Sequence, residues 1–383
     1  MQQSRCQAVS QIEVSQVTDR KERDQFIKFP WRIYRNDPAW VPPLIIERKA
    51  FIDRKRNPFY QHGAAALFLA KRDSEIVGRI MVSDDPNYNA LHQSNIGCFG
   101  LFESTDDVDV ASALFDAGAD WLRDRGRSEV MGPIDYSTNY VCGLLIDGFQ
   151  HPPTVLTAHN TPYYAQLIEA CGFEKVKDWY AWWFDPVNAP VSRLRRLVDA
   201  RARRTPVKIR PIDLRRLADD SQRVSAVFNE AWKNNWGFVP FTEAEAAHMA
   251  TEMRPILDPR MTLIAEIDNA QVGFVICVPD INVALKHVNG RLARFGLPIG
   301  LIKLLYYRRK IRTARFVALG VLEKYRRAGI AEKLVLQVLE EGASRGFKAE
   351  LSMTLEDNVM VNRFIEAVGA TRYKTYRIYK RTI

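Results

Sequence analysis

"VALGVLEKYRRAGIAEKLV", residues 317–335, sets an apolar run, a basic turn with a glycine, and a helix-forming run one after another. The run ending near Val321 has the β-branched, apolar content of a strand. From Gly329 onward Ile330, Leu334, Val338 and Leu339 recur at helical spacing. A helix beginning directly behind a strand presents unpaired backbone N–H groups and the positive end of its dipole, which favours a bound phosphate. Gly329 lets the backbone approach an anion closely. Arg326 and Arg327 add charge-assisted hydrogen bonds. The stretch therefore reads as a strand, an anion-binding turn and a helix.

Working outward, "KAELSMT" predicts a strand after that helix, "NVMVNRFIEAVGA" a short helix and "RYKTYRIYKR" a closing strand. On the other side, "VKIRPID" (207–213) predicts a strand followed by a helix through Val227, and "TLIAEID" with "QVGFVICVP" predicts a hairpin. The first half repeats this order. "IEVSQVTD" (12–19) is a strand, Phe26 to Tyr34 a helix, 65–72 and 75–84 a hairpin, and 95–103 a strand. Residues 109–126 form a helix with Val110, Leu114, Ala117 and Trp121 on one face, and "SEVMGPI" a strand. The predicted class is α/β with an α+β mixed sheet, in two similar units: 12–189 and 207–383, joined by a basic linker helix over 190–206.

Composition bounds the rest. A chain of 383 residues with 47% hydrophobic and 26% charged residues builds ordinary cores for two domains. Five scattered cysteines without a C-x-x-C pair argue against a disulfide framework and against a cysteine zinc site, and six histidines make no metal-spaced cluster. The first residues, "MQQSRCQAVSQIEV", lack the apolar core of a secretory signal, and no run approaches about 18 apolar residues. Of the net charge of +10, residues 281–322 carry +9 without one Asp or Glu, and 190–206 carry +5, so everything else sums to −4. Basicity this local implies an anionic partner at particular surfaces.

The strand-turn-helix of 317–335, with its flanking elements, resembles the pyrophosphate loop R/Q-x-x-G-x-G/A of the GNAT superfamily of acyl-CoA N-acyltransferases; Arg326, Gly329 and Ala331 match it. The resemblance implies no permanently bound cofactor or metal, and acyl-CoA as donor substrate. The diphosphate would meet Arg326, Arg327, Ala328, Gly329, Ile330 and Ala331. The backbone of Leu319, Gly320 and Val321 would pair with the pantetheine arm, and Asn358 and Asn362 would lie beside the thioester. Catalysis would rest on positioning, with a base taking the amine proton and an acid protonating the thiolate. The tyrosine that often follows the helix Asn by seven residues is Ile365 here. An acid role then falls to Tyr373 or Tyr376, or to none. Glu356, at the end of the preceding strand, is the first candidate base and Glu230 the second; each reads equally as a surface or capping carboxylate.

The first half lacks the loop. "STDDVDV" puts three aspartates where a diphosphate would sit, so 12–189 reads as a degenerate GNAT-like copy. Residues 132–173, rich in Gly, Pro, Asn and Tyr, line an acceptor cleft or pack the halves together, and "NDPAWVPPL" (36–44) carries the same two readings. The insertion 281–313 has Leu297, Leu301, Leu304 and Leu305 at helical spacing, tyrosines at 306 and 307, and cations at both ends. It suits an anionic membrane surface, a packed core element with a charged rim, or a dock for acyl carrier protein. No nucleic-acid motif accompanies the charge. With "GLLIDGF", "NTPYY" and "YRIYK", the layout resembles a tandem-GNAT bacterial family whose members have been proposed as ceramide synthases. That implies a cytoplasmic protein, peripheral on the inner membrane face, moving an acyl group from acyl-CoA or acyl carrier protein to a sphingoid-type amine. A cytosolic acetyltransferase for a small amine, amino acid or peptide, and a non-catalytic binding protein, stay open beside it.

Overall fold

The computed structural model describes residues 11–187 and 206–383, with five residues between them; the expected linker helix over 190–206 falls mostly outside the described residues. In the first half β1 (Ile12–Gln16) leads to α1 (Arg20–Lys28) and α2 (Pro30–Ile33). The single helix expected from Phe26 to Tyr34 is divided because Pro30 has no N–H and begins a new helix at its first position. α3 (Ile45–Phe51), β2 (Ala64–Arg72), β3 (Glu75–Asp84), α4 (Pro86–His92), β4 (Ile96–Ser104), α5 (Val108–Arg123) and β5 (Glu129–Gly132) follow. The buried face of α5 centres on Leu114, Phe115 and Leu122, while Ala117 and Trp121 sit half-buried at its edge. Next come β6 (Leu144–Asp147), α6 (Tyr164–Ala170) and β7 (Glu174–Phe184), none of them marked as elements by the sequence pattern.

The second half runs β8 (Lys208–Pro211), α7 (Leu217–Trp232), α8 (Glu243–Met253), β9 (Thr262–Ile267), β10 (Ala270–Pro279), α9 (Asn282–Leu285), α10 (Ile299–Arg308), β11 (Thr313–Val321), α11 (Ile330–Ser344), β12 (Lys348–Leu355), α12 (Val359–Ala367) and β13 (Thr371–Thr382). The hairpins β2–β3 and β9–β10 turn through paired left-handed residues, Asp73-Ser74 and Asp268-Asn269. That handedness matches the twist of the flanking strands.

All thirteen strands join in one sheet, in the order β1-β2-β3-β4-β5-β13-β7-β12-β11-β10-β9-β8, with β6 pairing β13 beside β5. The two halves exchange their last strands. β13 lies against β5, with Tyr379 opposite Gly132 and Lys380 opposite Met131. β7 lies against β12, with Phe184 opposite Ala349 and Trp183 opposite Glu350. Cores follow the exchange: Trp182 and Phe184 of β7 pack with Leu334, Val338 and Leu351, while Tyr379 of β13 packs with Phe99, Phe115 and Phe173. Each such aromatic contributes about 2–3 kcal/mol of burial to the half that did not encode it.

An ion pair locks the exchanged strands together. Asp178 of β7 accepts from Arg377 of β13 at 2.8 and 3.0 Å, and Lys175 lies at 2.9 Å. Burial alone would raise the Asp178 carboxyl, but hydrogen bonds from Arg377 and then Lys175 hold it below the usual carboxylate range. A depressed carboxylate stabilises above its unfolded value, near 4, and that contribution fades as pH falls through the folded value. Asp178→Asn is expected to cost about 3 kcal/mol at pH 7 and to flatten the acid limb of stability below about pH 4, read by urea unfolding across pH. An unchanged midpoint and acid limb would refute this.

Candidate functional site

β11 and β12 run parallel for four rungs, from Thr313 opposite Lys348 to Phe316 opposite Leu351, and then part. β11 stays on β10, and β12 stays on β7 through Thr354 and Leu355. The result is a fork whose walls are backbone. Leu322 N–H bonds Val272 C=O, so with the two-residue alternation Gly320 also turns to β10, while Leu319 and Val321 turn their N–H and C=O groups into the fork. The indole N–H of Trp232 reaches Leu319 C=O at 3.2 Å. Phe228 stacks on Trp232 at 4.8 Å and packs with Phe238 and Phe241, giving that wall an aromatic cover.

At the end of β11 a 3-10 turn over Glu323–Ala328 delivers Gly329, which takes φ +73° and begins α11 with no side-chain cap. A left-handed residue at a buried helix start is the place where glycine is needed. Arg326 donates to Ala231 C=O at 2.7 Å, so it braces the turn against α7; Arg326 and Arg327 are both exposed. Across the fork, Asn358 caps α12 by accepting from Val361 N–H at 3.4 Å. Asn362 donates to Leu355 C=O at 3.0 Å, and its amide oxygen is buried without a partner among the described residues. Ile365, where a tyrosine acid often stands in the resembled family, is core.

The acid and base candidates are scattered. Glu356 leaves β12 on the side of β7, away from the fork: it is salt-bridged to Lys175 at 2.7 Å and accepts from Asp178 N–H at 2.9 Å. Glu230 is on the exposed side of α7, paired with Lys233 at 2.6 Å. Tyr373 is partly buried and donates to the carboxylate of Glu350; burial first, then that carboxylate, raise its phenol far above the ordinary value. Glu350 went unnoticed in the sequence because a lone Glu in a strand gives no signal of burial.

The first half has the corresponding fork, and it is filled. β4 and β5 pair over three rungs, Ile96 to Cys98, and part. Beyond them Phe99 C=O accepts from Ile134 N–H at 2.6 Å, and Asp135 accepts from Leu101 N–H at 3.0 Å. A Cβ on Gly100 would lie 2.5 Å from that carboxylate. The start of α5 is closed as well, because Asp107 accepts from Asp109 and Val110 N–H groups and pairs with Arg72 at 2.8 Å. The aspartates of "STDDVDV" thus include the cap that an anion would have to displace.

The insertion is anchored by backbone and exposes its side chains. Gly300 is the buried residue of α10; a Cβ there would meet Arg291 C=O at 1.9 Å. Leu301 N–H bonds Leu292 C=O, and Tyr307 stacks on His287 at 3.6 Å. The segment before α10 seats on 36–44 and its neighbours through Lys286 to Pro38 C=O, Ile45 N–H to Gly290 C=O, and the Trp31 indole to Asn289. That leaves Phe295 fully exposed, Ile302 62% and Leu305 54% exposed, with Leu297, Leu301 and Tyr306 beside them. The packed-core reading of this insertion is therefore set aside. No helix among the described residues is long and apolar enough to cross a membrane.

These features agree with the known proteins the chain is similar to. Residues 223–370 match the model of the acetyltransferase (GNAT) family. The chain is 37% identical over 366 residues to Protein YghO of Escherichia coli, covering 94% of this chain and 92% of that protein. It is 34% identical over 371 residues to the bacterial ceramide synthase of Caulobacter vibrioides, covering 94% and 95%. In fold it resembles a tandem GNAT protein from the clavulanic acid biosynthesis pathway, with a TM-score of 0.60 at 13% identity over 97% of this chain and 98% of that one. With its forked strands, its glycine-led helix and full-length relatives, the chain belongs to the GNAT family, as a tandem-GNAT N-acyltransferase.

Proposed function

We propose that this enzyme N-acylates a long-chain amino lipid at an anionic membrane surface, with acyl-CoA or acyl carrier protein as donor. The observation carrying the lipid reading is the α10 shelf: large apolar side chains face solvent inside the insertion 281–313, which has eight cations and no acid. Burying such a face in the headgroup region gains apolar transfer energy, and each cation adds about 1 kcal/mol near anionic lipid. The similarity to a bacterial ceramide synthase supports the same acceptor class, a sphingoid-type amine.

In this reading residues 207–383 are the catalytic unit and 12–189 its degenerate partner, whose filled fork gives support instead of a second donor site. Leu319 and Val321 offer pantetheine two backbone rungs, with Gly320 between them. The turn Arg326, Arg327, Ala328, Gly329, Ile330 and Ala331 receives the diphosphate on helix N–H groups, with both arginines exposed beside it and Arg326 also bracing the turn. Asn358 and Asn362 flank the thioester, and the aromatic cover at Trp232 shields it. Glu356, held by Lys175, acts as a strut for β12 more readily than as a base. Glu230 acts at most from the rim, and Tyr373 acts through Glu350.

Purified protein given palmitoyl-CoA and a long-chain amino diol is expected to release the amide, identified by mass spectrometry. Acetyl-CoA with small amines is expected to give at most a trace. The reverse preference would establish the small-amine acetyltransferase instead. Protein is also expected to sediment with phosphatidylglycerol vesicles and not with phosphatidylcholine, less so in high salt. Replacing Arg308, Arg309 and Lys310 with Glu should lower that partition at least about 100-fold, since three cations contribute roughly 3 kcal/mol. Equal sedimentation of the variant would remove the membrane from the proposal.

A further inference from the structure

At the base of the fork lies a buried ionic cluster around Glu350, of which the roles above use only the bond from Tyr373. Arg315 of β11 and Glu350 of β12 are register partners on the last rungs before the strands part, 3.4 Å apart and almost wholly buried. Ser352 is the first β12 residue beyond the last rung. Its hydroxyl donates to Glu350 Oε1 at 2.5 Å and accepts from Arg315 Nε at 2.9 Å. Glu350 Oε1 also accepts from Thr154 at 2.7 Å, and Tyr373 holds Oε2. Phe316 and Leu351 pack against α11 on the opposite face, so Ser352 and Glu350 face away from that helix, toward the covering segment 152–155.

Resting on the N-acyltransfer reading, we infer that Ser352 and Glu350 form a relay that removes the proton of the attacking amine. The amine nitrogen bonds to the thioester carbonyl carbon, the C–S bond breaks, and the thiolate leaves. The nitrogen's proton passes to Ser352 Oγ as the serine hydroxyl proton passes to Glu350 Oε1, and Glu350 then returns it through Ser352 to solvent. Ser352 is the group that touches substrate. Arg315 is a positioning residue: by donating to Ser352 Oγ it aims the hydroxyl hydrogen at Glu350.

The surroundings suit a group that must change charge. Arg315 comes from β11, Thr154 from the cover, Asp280 from the end of β10, and Tyr373 and Lys374 from the exchanged strand β13, with the His151 ring 5.2 Å from Tyr373. Lys374 is 0% exposed and donates to Pro152 C=O at 2.7 Å. Burial lowers Lys374 to about 8, against the pull of Glu350 and Asp280, and burial raises Asp280 to about 7. Burial thus brings two neighbours of the cluster, one basic and one acidic, toward neutrality. Tyr373 and Lys374 are supplied by a strand held on both edges by strands of the first half, β5 with β6 on one side and β7 on the other.

The test compares Ser352→Ala and Glu350→Gln with wild type in palmitoyl-CoA and amino-diol turnover from pH 6 to 10, alongside coenzyme A titration and thermal melts. General-base loss is expected to lower kcat at least about 100-fold near pH 7. KM for the thioester and coenzyme A affinity are expected to stay within about threefold, and the deficit to shrink toward pH 10 as hydroxide removes the proton instead. If Glu350→Gln fails to fold, Ser352→Ala decides alone. A drop in kcat of less than about threefold, or a larger loss independent of pH, would overturn the relay while N-acyltransfer stands. A wild type that binds coenzyme A and acylates no amine would take down the parent reading, and the relay with it.

Discussion

Gly329→Val is expected to abolish coenzyme A binding and leave the fold standing. The residue sits at φ +73°, at the buried start of α11. A β-branched side chain there is strained by about 1–3 kcal/mol, and the relief is to rotate the peptide that aims the first N–H groups of the helix. Those donors are what a diphosphate would use, each charge-assisted bond contributing about 1.5–3 kcal/mol. Losing one or two weakens binding at least about 100-fold by titration calorimetry. The strain is local, so the melting temperature should fall by only a few degrees in a chain of this size. Arg327→Ala, at an exposed cation, should cost about tenfold, an effect that salt erases. If the valine variant binds coenzyme A within threefold of wild type, the turn is not the diphosphate site.

The second large effect concerns the exchanged strands. Cutting between residues 206 and 207 and producing the two pieces separately should yield no cooperative fold from either. The first piece keeps β7 but loses β13 and β12, so β5 loses its ladder with β13 and β7 loses the ladders on both of its edges. The second keeps β13 but loses β7, leaving Leu351 and Ala349 without Trp182 and Phe184. Each piece thus exposes an unpaired strand edge beside apolar surface, a template for aggregation. Coexpression should restore a soluble complex with a single melting transition, because the pairing needs both strands and no bond between residues 206 and 207. A sharp, reversible melt from residues 1–206 alone would contradict the exchange. The same interlock gives the first half a structural part in the second: it supplies the strand β7 beside β12, and the Thr154–Val155 cover over Glu350 and Arg315.

The Glu350 cluster and the shelf differ in how they appear from sequence. α10 shows its character by composition alone, since apolar spacing and cations without acids stand in one stretch. What spacing omits is which way the helix faces. Gly300 decides that by letting the backbone, and not a leucine, pack inward. Glu356 stood out by its place at a strand end, yet a neighbour 181 positions away occupies it. Glu350 had no distinguishing neighbour in sequence and lies among groups drawn from five separate segments.

Residues near one another in the chain determined the strand-turn-helix of 317–335, the two hairpins, the glycine at 329 and the closed acidic counterpart at 104–110, because turn chemistry, helix caps and periodicity are set within a few positions. The tertiary structure alone decided that β7 and β13 change places, that Asp135 fills the first fork, and that Arg315, Ser352 and Glu350 meet at the base of the second. Strand partners are joined by backbone hydrogen bonds that every residue type offers alike, so a strand's sequence records which face it buries and not which strand lies beside it.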